Sequence, residues 1–331
     1  MIEKTSYFVI AFNITDEKNL KKIKKAWQKE AQLDASVGRL YKQREATTEN
    51  VLGGQVALMR VVNNIGKIVK VINVRTPMGL AISKDKTLYT GGNHWIYEIK
   101  NGKAVRKLNN FLFNCIHGLF LTKRNTLLVV STGIDAILEI SPLQPDKIAW
   151  SWFAPEQGFP ISKIGDVRTL DYSSKLQGIE YSTPLHTTHV NSVIEEDGEI
   201  LATLFHQGIL VKIDKKTGKT TILFAGLKNP HTIKKNKNEY LVCDTKGNRV
   251  FLLNKDFSIK QVLKNDFDWV QDALFSRDND VIIADSNNGR IILWDRSSTQ
   301  YVTLYKFKPD KRKIGSIIEI DKTTAESVFG I

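Results

Sequence analysis

The sequence is poor in the features that mark exported, membrane-spanning or disulfide-linked proteins. Its 331 residues contain two cysteines, Cys115 and Cys243, each inside an apolar strand-like segment. We expect two buried thiols in a reducing compartment rather than a disulfide or a metal-binding pair. No stretch approaches the roughly 20 apolar residues that span a bilayer, and the short apolar run at residues 7–12 lacks the small-residue cleavage site of a secretory signal. These absences predict a cytoplasmic protein with no membrane span.

Several motifs of catalytic sites are absent as well. No H-E-x-x-H, C-x-x-C, G-x-S-x-G or EF-hand loop occurs, which excludes most motif-defined hydrolases and calcium sites. The segment Gly218-Lys219-Thr220 ends like a phosphate-binding loop, but Ile213 stands where that loop requires its earlier glycine. Nucleotide binding through such a loop is therefore excluded.

The basic residues do not form one dense tract, although the formal net charge is +13. Lysines between residues 21 and 25 flank Leu20, Ile23 and Trp27 at helical spacing, which predicts an amphipathic helix with a solvated basic face. Other lysines fall in predicted turns. Binding of nucleic acid through a basic face remains an alternative.

A block of about 40 residues recurs along the chain, and each copy predicts four strands separated by polar or Gly-containing turns. Copies begin near residues 77, 116, 189, 230 and 271. One such sheet cannot bury both of its faces alone, so the copies must pack around an axis and close a ring. The sequence therefore predicts an all-β propeller with six four-stranded blades, with seven as the alternative.

The blade that closes the ring is predicted to combine both ends of the sequence. Residues 54–60 and 68–72 match the third and fourth strands of a block, whereas residues 315–320 and 326–329 match the first and second. Residues 1–47 are then an appendage that contains the basic helix and an early strand at residues 7–14. Residues 48–331 form the propeller, with an insertion near residues 152–186.

Two turns carry a family resemblance. The segments from Asp285 to Ile291 and from Asp244 to Val250 resemble the D-x-x-N-x-R-[IV] turn of NHL-repeat propellers, with Gly247 in place of the Asn. The short polar side chains and Gly suit a tight turn, and the Asp and Arg can satisfy exposed backbone groups. The resemblance implies the fold and carries no chemistry.

Histidines concentrate where the innermost strands begin. In a propeller the starts of these strands surround the central channel, and here the repeat places there Met78, His117, His189, His231 and Asp272. The chain contains six histidines, so three at one repeat position indicate a binding site in the central funnel. Met78 and the pair Ile314-Gly315 make the opposite side apolar.

Three interpretations of the histidines are open. His117, His189 and His231 could bind zinc or a similar divalent metal ion and leave one position for water or substrate. The same imidazoles could act as general acid, general base or nucleophile, with Asp272 orienting one of them or stabilising its cation. Alternatively, they only satisfy hydrogen bonds inside a narrow channel.

A second resemblance concerns one blade. His189-Val190-Asn191-Ser192, followed by His206-Gln207, resembles the H-x-N-S motif of bacterial arylsulfotransferase-like propellers. It implies that His189 and Asn191 face the channel and that Asn191 donates to an oxyanion or substrate oxygen. Phe205 and the pair Gln271-Asp272 stand where that family has an arginine and a nucleophilic histidine, so sulfotransfer is set aside as the leading chemistry.

The insertion near residues 152–186 is aromatic and polar, which predicts an ordered flap over the funnel. Arg168 or Tyr181 would then contact an anionic or aromatic ligand, with His206 and Gln271 as further substrate-binding candidates. The alternative is an edge insertion packed on a neighbouring blade. His94 is predicted to lie at the surface.

The residues together predict a propeller enzyme that processes a small molecule in its funnel. Its chemistry would be metal-assisted lyase or hydrolase chemistry or histidine-centred group transfer, with His189, Asn191 and Asp272 as catalytic candidates. The rival interpretation is a non-catalytic NHL-type platform that binds protein or RNA.

Overall fold

A computed structural model describes residues 5–15, 44–45 and 52–331 of the chain. The described residues form six four-stranded antiparallel sheets, and the innermost strands of successive sheets contact one another in a closed ring. The prediction of a six-bladed propeller is confirmed.

Strands are numbered in chain order. They are β1 (Thr5–Thr15), β2 (Arg44–Glu45), β3 (Leu52–Val62), β4 (Ile65–Asn73), β5 (Met78–Ile82), β6 (Leu88–Gly91), β7 (Ile96–Lys100), β8 (Lys103–Leu108), β9 (Ile116–Leu121), β10 (Leu127–Ser131), β11 (Ala136–Ser141), β12 (Gln144–Phe153), β13 (Ile179–Glu180), β14 (Val190–Glu196), β15 (Glu199–Leu204), β16 (Ile209–Asp214), β17 (Thr220–Phe224), β18 (Ile233–Lys235), β19 (Tyr240–Asp244), β20 (Arg249–Leu253), β21 (Ile259–Lys264), β22 (Val270–Phe275), β23 (Val281–Asp285), β24 (Arg290–Asp295), β25 (Gln300–Lys306) and β26 (Arg312–Ile320).

The blades follow the chain. From the axis outward, blade 1 contains β5 to β8, blade 2 β9 to β12, blade 3 β14 to β17, blade 4 β18 to β21 and blade 5 β22 to β25, whereas blade 6 has the order β26-β1-β3-β4. Second strands such as β10 and β23 are buried at every residue, because neighbouring blades cover both faces of each sheet. This double burial explains their continuous apolar sequences. The outermost strands β4 and β8 are largely exposed.

The closing blade is assembled differently from the prediction. Strand β1 pairs with β26 on one side and β3 on the other, so residues 5–15 supply the second strand of blade 6. The prediction of an appendage over residues 1–47 is wrong for this segment, because the apolar side chains of β1 complete the core. The predicted basic helix lies outside the described residues.

The predicted second strand at residues 326–329 is a helix. Helix α1 (Lys322–Phe329) begins after Asp321, whose side chain accepts a hydrogen bond from the Thr324 N–H, and ends at Gly330 with φ 63°. These are the usual start and stop signals of a helix. Its Val328 and Phe329 are fully buried in the core beside β1 and β7, so the apolar residues that suggested a strand serve helix packing.

The two NHL-like turns make the hydrogen bonds expected of their residues. Arg249 Nε donates to Asp244 Oδ2 at 2.6 Å, and Arg290 Nε donates to Asp285 Oδ2 at 2.6 Å. Asp285 Oδ1 also accepts from the Asp268 N–H at 2.8 Å. The carboxylates thereby tie each turn to the chain that enters the same blade.

The insertion lies between blades 2 and 3. Trp152 and Phe153 still belong to β12, so the insertion starts two residues later than predicted and continues to His189. Its short strand β13 pairs with β2, and Leu176 packs into the core of blades 1 and 2. Within the described part of the chain, no helix is long and apolar enough to cross a membrane.

Ring closure by β1 can be tested with two isoleucines. Ile10 of β1 is fully buried, whereas Ile65 of β4 is 74% exposed. Ile10→Ala should lower the free energy of unfolding by about 2–5 kcal/mol, because it leaves a cavity between blades 5 and 6. The matched change Ile65→Ala should alter it by less than about 0.5 kcal/mol. Urea unfolding measures both, and equal small effects would show that β1 does not complete the core.

Candidate functional site

The channel wall is built by one repeated irregularity of the innermost strands. In five blades the pairing of the first and second strands shifts by one residue, at Gly79, His117, Asn191, Gln271 and Gly315. A bulge of this kind turns the extra residue out of the regular ladder. His231 occupies the corresponding place in blade 4, where its N–H donates to the Cys243 carbonyl at 3.2 Å. All six residues line the axial cavity.

This register corrects the predicted set of channel residues. His117 and His231 are at the channel position as predicted, but the equivalent residues of blades 3 and 5 are Asn191 and Gln271. His189 precedes β14 and lies outside the cavity wall. The shift arises because each bulge adds a residue that counting by the repeat period does not reveal.

The cavity has a volume of about 460 Å³ and follows the axis. At the end where the innermost strands begin, its wall has a polar side at His117, Asn191 and His231 and a side without bulky polar groups at Gly79 and Gly315. The exposed lining residues, Lys235, Arg277 and Asp321, lie at the other end. A cavity of this size accommodates a small organic molecule.

His117 is held by a chain of hydrogen bonds that fixes its tautomer. Asn191 Nδ2 donates to the Pro230 carbonyl at 3.2 Å, so Asn191 Oδ1 faces His117 Nδ1 at 2.7 Å. Because this oxygen only accepts, Nδ1 carries the proton and Nε2 of the neutral ring carries the lone pair, with Cys115 Sγ 3.4 Å away. His117 is partly exposed, so a ligand can reach this base.

His231 is fixed in the same way. Thr245 donates its hydroxyl hydrogen to the Val270 carbonyl at 2.7 Å and faces His231 Nδ1 at 2.9 Å. The Thr245 oxygen must therefore accept from His231 Nδ1, which leaves Nε2 unprotonated. Two neutral imidazoles at the channel position thus have basic Nε2 atoms.

His189 belongs to a cluster directly behind the cavity wall. Its ring stacks on His186 with centroids 4.9 Å apart and an angle of 16°, and the two Nδ1 atoms are 2.6 Å apart. His186 Nε2 donates to the Tyr181 carbonyl at 3.3 Å, so His186 Nδ1 accepts from His189 Nδ1. The His189 ring also meets His117 edge-on at 5.0 Å.

The predicted three-histidine metal site does not fit this arrangement. The Phe205 ring lies 4.9 Å from His189 and 5.1 Å from His231, centroid to centroid. Among the described residues, no group of three His, Cys, Asp or Glu side chains is placed to hold a metal ion. The imidazole donors would suit zinc by their chemistry, but their positions do not converge on one point.

Asp135 anchors the insertion to blade 2. Its buried carboxylate accepts hydrogen bonds from the consecutive N–H groups of Thr187, Thr188 and His189 at 2.8, 2.9 and 2.7 Å. It also forms an ion pair with Arg168. These contacts set the backbone of His189, which has φ 49°, a conformation that is costly for a residue with a side chain.

Arg168 and Tyr181, predicted to bind a ligand, serve this anchor. The Arg168 guanidinium is buried, bonds the Asp135 carboxylate and the Gly133 carbonyl, and lies 4.8 Å above the Tyr181 ring. It therefore neutralises a buried protein carboxylate. The insertion packs on blades 1 to 3 on the side of the histidines, and none of its residues lines the axial cavity.

Other predicted site residues have different surroundings. Asp272 accepts hydrogen bonds from Ser316 Oγ and the Ile317 N–H at 2.8 Å each, so it joins blade 5 to blade 6 instead of orienting a histidine. Gln271 Oε1 accepts from Trp269 Nε1 at 2.9 Å. His206 Nε2 contacts the Thr183 carbonyl at 3.1 Å. His94 is buried, 2% exposed, contrary to the surface position predicted for it.

Burial keeps the histidines neutral. It lowers the pKa of both His186 and His231 to about 3, and in His186 it outweighs the opposite effect of Asp135. Burial, followed by the charge of His186, lowers the pKa of His189, and burial lowers that of His117 against the hydrogen bond to Asn191. The pKa of Asp135 is lowered overall. Burial acts to raise it, but the opposite effects of Arg168, His186 and the backbone N–H groups are larger in sum.

Three functional features escaped the sequence analysis. Asp135 and His186 carry no motif, and the contacts of Asp135 with residues 187–189 span 52 or more positions of chain. Cys115 lies 3.4 Å from His117 Nε2 through its Sγ atom, although the sequence predicted only a buried thiol. The spacing Cys115-x-His117 could have indicated this contact, but the apolar strand pattern around both residues favoured the prediction of a buried thiol.

The Asp135 anchor predicts a large effect of a small change. Asp135→Asn should lower the free energy of unfolding by about 3–5 kcal/mol, because it leaves the buried Arg168 charge unpaired. Amide hydrogen exchange at residues 187–189 should accelerate at the same time. The control Asp171→Asn alters an exposed aspartate of the same insertion and should leave urea unfolding unchanged. An intact exchange pattern in Asp135→Asn would contradict the anchoring role.

Stability should depend on pH between 7 and 5. The unfolded histidines have a pKa near 6.5, whereas in the folded protein it is lowered, to about 3 for His186 and His231. The unfolded state therefore binds more protons in this window, and the free energy of unfolding falls as the pH falls, by up to about 1.4 kcal/mol per pH unit for each such histidine. Urea unfolding at several pH values tests this. His231→Gln should have a shallower slope, and an unchanged slope would mean that His231 is already protonated in the fold.

Comparison with known proteins supports the fold and no particular activity. No protein-family model matches the chain, and no curated protein matches it. A protein of unknown function from Bacteroides caccae is 12% identical with a TM-score of 0.57, over 80% of this chain and 95% of that chain. Virginiamycin B lyase from Staphylococcus aureus is 12% identical with a TM-score of 0.47, over 80% of this chain and 73% of that chain.

A protein from Lactobacillus plantarum is 12% identical with a TM-score of 0.49, over 81% of this chain and 82% of that chain. At such identities the likeness concerns the fold alone. The resemblances to NHL-repeat and arylsulfotransferase-like propellers are not confirmed by these matches and stay predictions. The described chain is a six-bladed propeller with two histidines in the wall of its axial cavity.

Proposed function

We propose that this propeller is an enzyme that cleaves a bond in a small molecule in its axial cavity, by lyase or hydrolase chemistry centred on a histidine base. The observation that carries the proposal is the fixed tautomer of His117. Its Nδ1–H donates to Asn191 Oδ1, so the lone pair is on Nε2 of a ring that lines a cavity able to hold a ligand. A base that is neutral at pH 7 can accept a proton from the substrate or from water.

Asn191 is a positioning residue in this proposal. When His117 becomes an imidazolium, its Nδ1–H still donates to Asn191 Oδ1, and this hydrogen bond to a charged donor is stronger than that of the neutral ring. The role of Asn191 as an oxyanion donor stays a separate prediction, because its amide group has two N–H donors and one of them donates to the Pro230 carbonyl. His231 offers a second neutral imidazole on blade 4.

The surroundings of the base favour proton transfer over simple binding. Burial lowers the pKa of His117 and so disfavours its cation. The imidazolium is therefore short-lived and returns its proton to the leaving group. No step of this chemistry uses a metal ion. We keep the cytoplasm as the proposed compartment, because Cys115 and Cys243 are both free thiols.

The base can be identified by a substrate screen. A panel of small esters, lactones and amides, some with an acidic C–H beside the carbonyl, is incubated with the wild type and with His117→Gln at pH 7.5, and products are measured by mass spectrometry. The wild type should cleave members of the panel, and His117→Gln should lose at least about a hundredfold in kcat/KM, the usual contribution of a general base.

Matched variants separate the base from general damage. Asn191→Ala should lower kcat by about tenfold or more with little change in KM, because the ring loses its orientation. Asn265→Ala changes an exposed asparagine that does not line the cavity and should keep wild-type rates. Equal rates in the wild type and in folded His117→Gln would refute the proposal.

A further inference from the structure

Cys115 and His117 form a close pair where the innermost strand of blade 2 begins, and His117 lines the axial cavity there. Cys115 immediately precedes β9, and its Sγ atom lies 3.4 Å from His117 Nε2, the nitrogen that the Asn191 contact leaves unprotonated. Both side chains are partly exposed. The thiol therefore faces the one atom of the imidazole that can take its proton.

The backbone presents Cys115 at the strand entrance. Cys115 has φ 48°, and its counterparts before β14 and β22, His189 and Trp269, have φ 49° and 62°. The conformation is therefore a property of the fold at this position. In blade 2 the residue that adopts it carries a nucleophilic side chain instead of a ring, and the bulge two residues later turns His117 towards it.

We propose that Cys115, His117 and Asn191 form a nucleophile, base and positioning residue that act on a small ester or thioester. This inference rests on the function proposed above and adds the nucleophile and the substrate class to it. The order of contacts, Sγ to Nε2 and Nδ1 to the amide oxygen, is that of cysteine acyl-transfer enzymes on unrelated folds.

The reaction balances without a further cofactor. Cys115 Sγ bonds to the acyl carbon while its proton moves to His117 Nε2. The acyl carbon–oxygen or carbon–sulfur bond then breaks, and the leaving group takes that proton and departs as alcohol or thiol. Water next attacks the thioester and gives its proton to Nε2. The carbon–Sγ bond breaks, the carboxylic acid leaves, and the Cys115 thiol regains the proton.

The environment of the thiol selects the substrate class. Burial, followed by the charge of Glu180, raises the pKa of Cys115 to about 12, so the resting thiol is protonated. Attack must then be coupled to proton transfer to His117, which is efficient for carbonyl groups with good leaving groups. Esters and thioesters meet this condition better than amides. The distance of 3.4 Å lies within contact for a sulfur donor.

The first test uses 4-nitrophenyl acetate as the probe. Wild-type protein should release a burst of about one 4-nitrophenol per chain, and acid quenching should trap an acetyl group on Cys115 that peptide mass spectrometry detects. Cys115→Ser and Cys115→Ala should each lose the burst and at least about a hundredfold in rate. Cys243→Ala, which changes the fully buried thiol, is the matched control and should keep both.

The second test measures alkylation of Cys115 by iodoacetamide. Removal of the base in His117→Ala should slow alkylation at least about tenfold at pH 7.5, and Asn191→Ala should slow it less. If His117 merely packs against the thiol, the smaller side chain opens the site and alkylation accelerates, which overturns the inference. Thermal melting of each variant confirms that it is folded, and Cys115→Ser retains the size of the side chain if Cys115→Ala is unstable.

The outcomes separate this inference from the function on which it rests. If turnover survives in Cys115→Ser but is lost in His117→Gln, the role of Cys115 as nucleophile is refuted and the role of His117 as base is supported. Turnover that survives in both variants overturns both. Loss in both variants, with acetyl-Cys115 trapped in the wild type, is the expected result.

Discussion

The site depends on one buried carboxylate. Asp135 accepts from three successive backbone N–H groups and pairs with Arg168, so the end of the insertion is fixed where it enters β14. A charge inside the protein is tolerated only with such compensation. His186 and His189 take their stacked positions from this segment, and the neutral state of the cluster follows from the burial that the insertion provides. The positions of the histidines therefore depend on the ion pair and hydrogen bonds of Asp135.

Repetition made the fold predictable, and interruption of the repeat limited the prediction. Five blocks with continuous apolar strands predicted the blades because packing on both faces demands such strands. The closing blade was harder, because β1 stands apart from the rest of its sheet by sequence and its pattern also suits an isolated strand. The helix after Asp321 was mistaken for a strand because Val328 and Phe329 pack inward in either structure. Capping residues distinguish the two possibilities, whereas apolar content does not.

The site was predictable to the level of the blade position and no further. His117 and His231 were placed correctly because they share the start of the innermost strand. The bulges moved Asn191 and Gln271 to that position, and His189 away from it, through a change of one residue that periodicity does not encode. The contact of Cys115 with His117 depends on the direction of the two side chains, which a repeat pattern does not give. The contact of Asp135 with residues 187–189 depends on the tertiary fold.

The ring of bulges has a consequence for the ligands it admits. Around the axis its residues follow a fixed sequence of glycine, imidazole, amide, imidazole, amide and glycine, at Gly79, His117, Asn191, His231, Gln271 and Gly315. A Cβ atom at Gly79 would lie 2.8 Å from the Leu119 backbone nitrogen, so close packing requires a glycine at this part of the wall. The order of these groups has no mirror plane that contains the axis, so a molecule bound on the axis would meet a different set of neighbours in each rotational orientation.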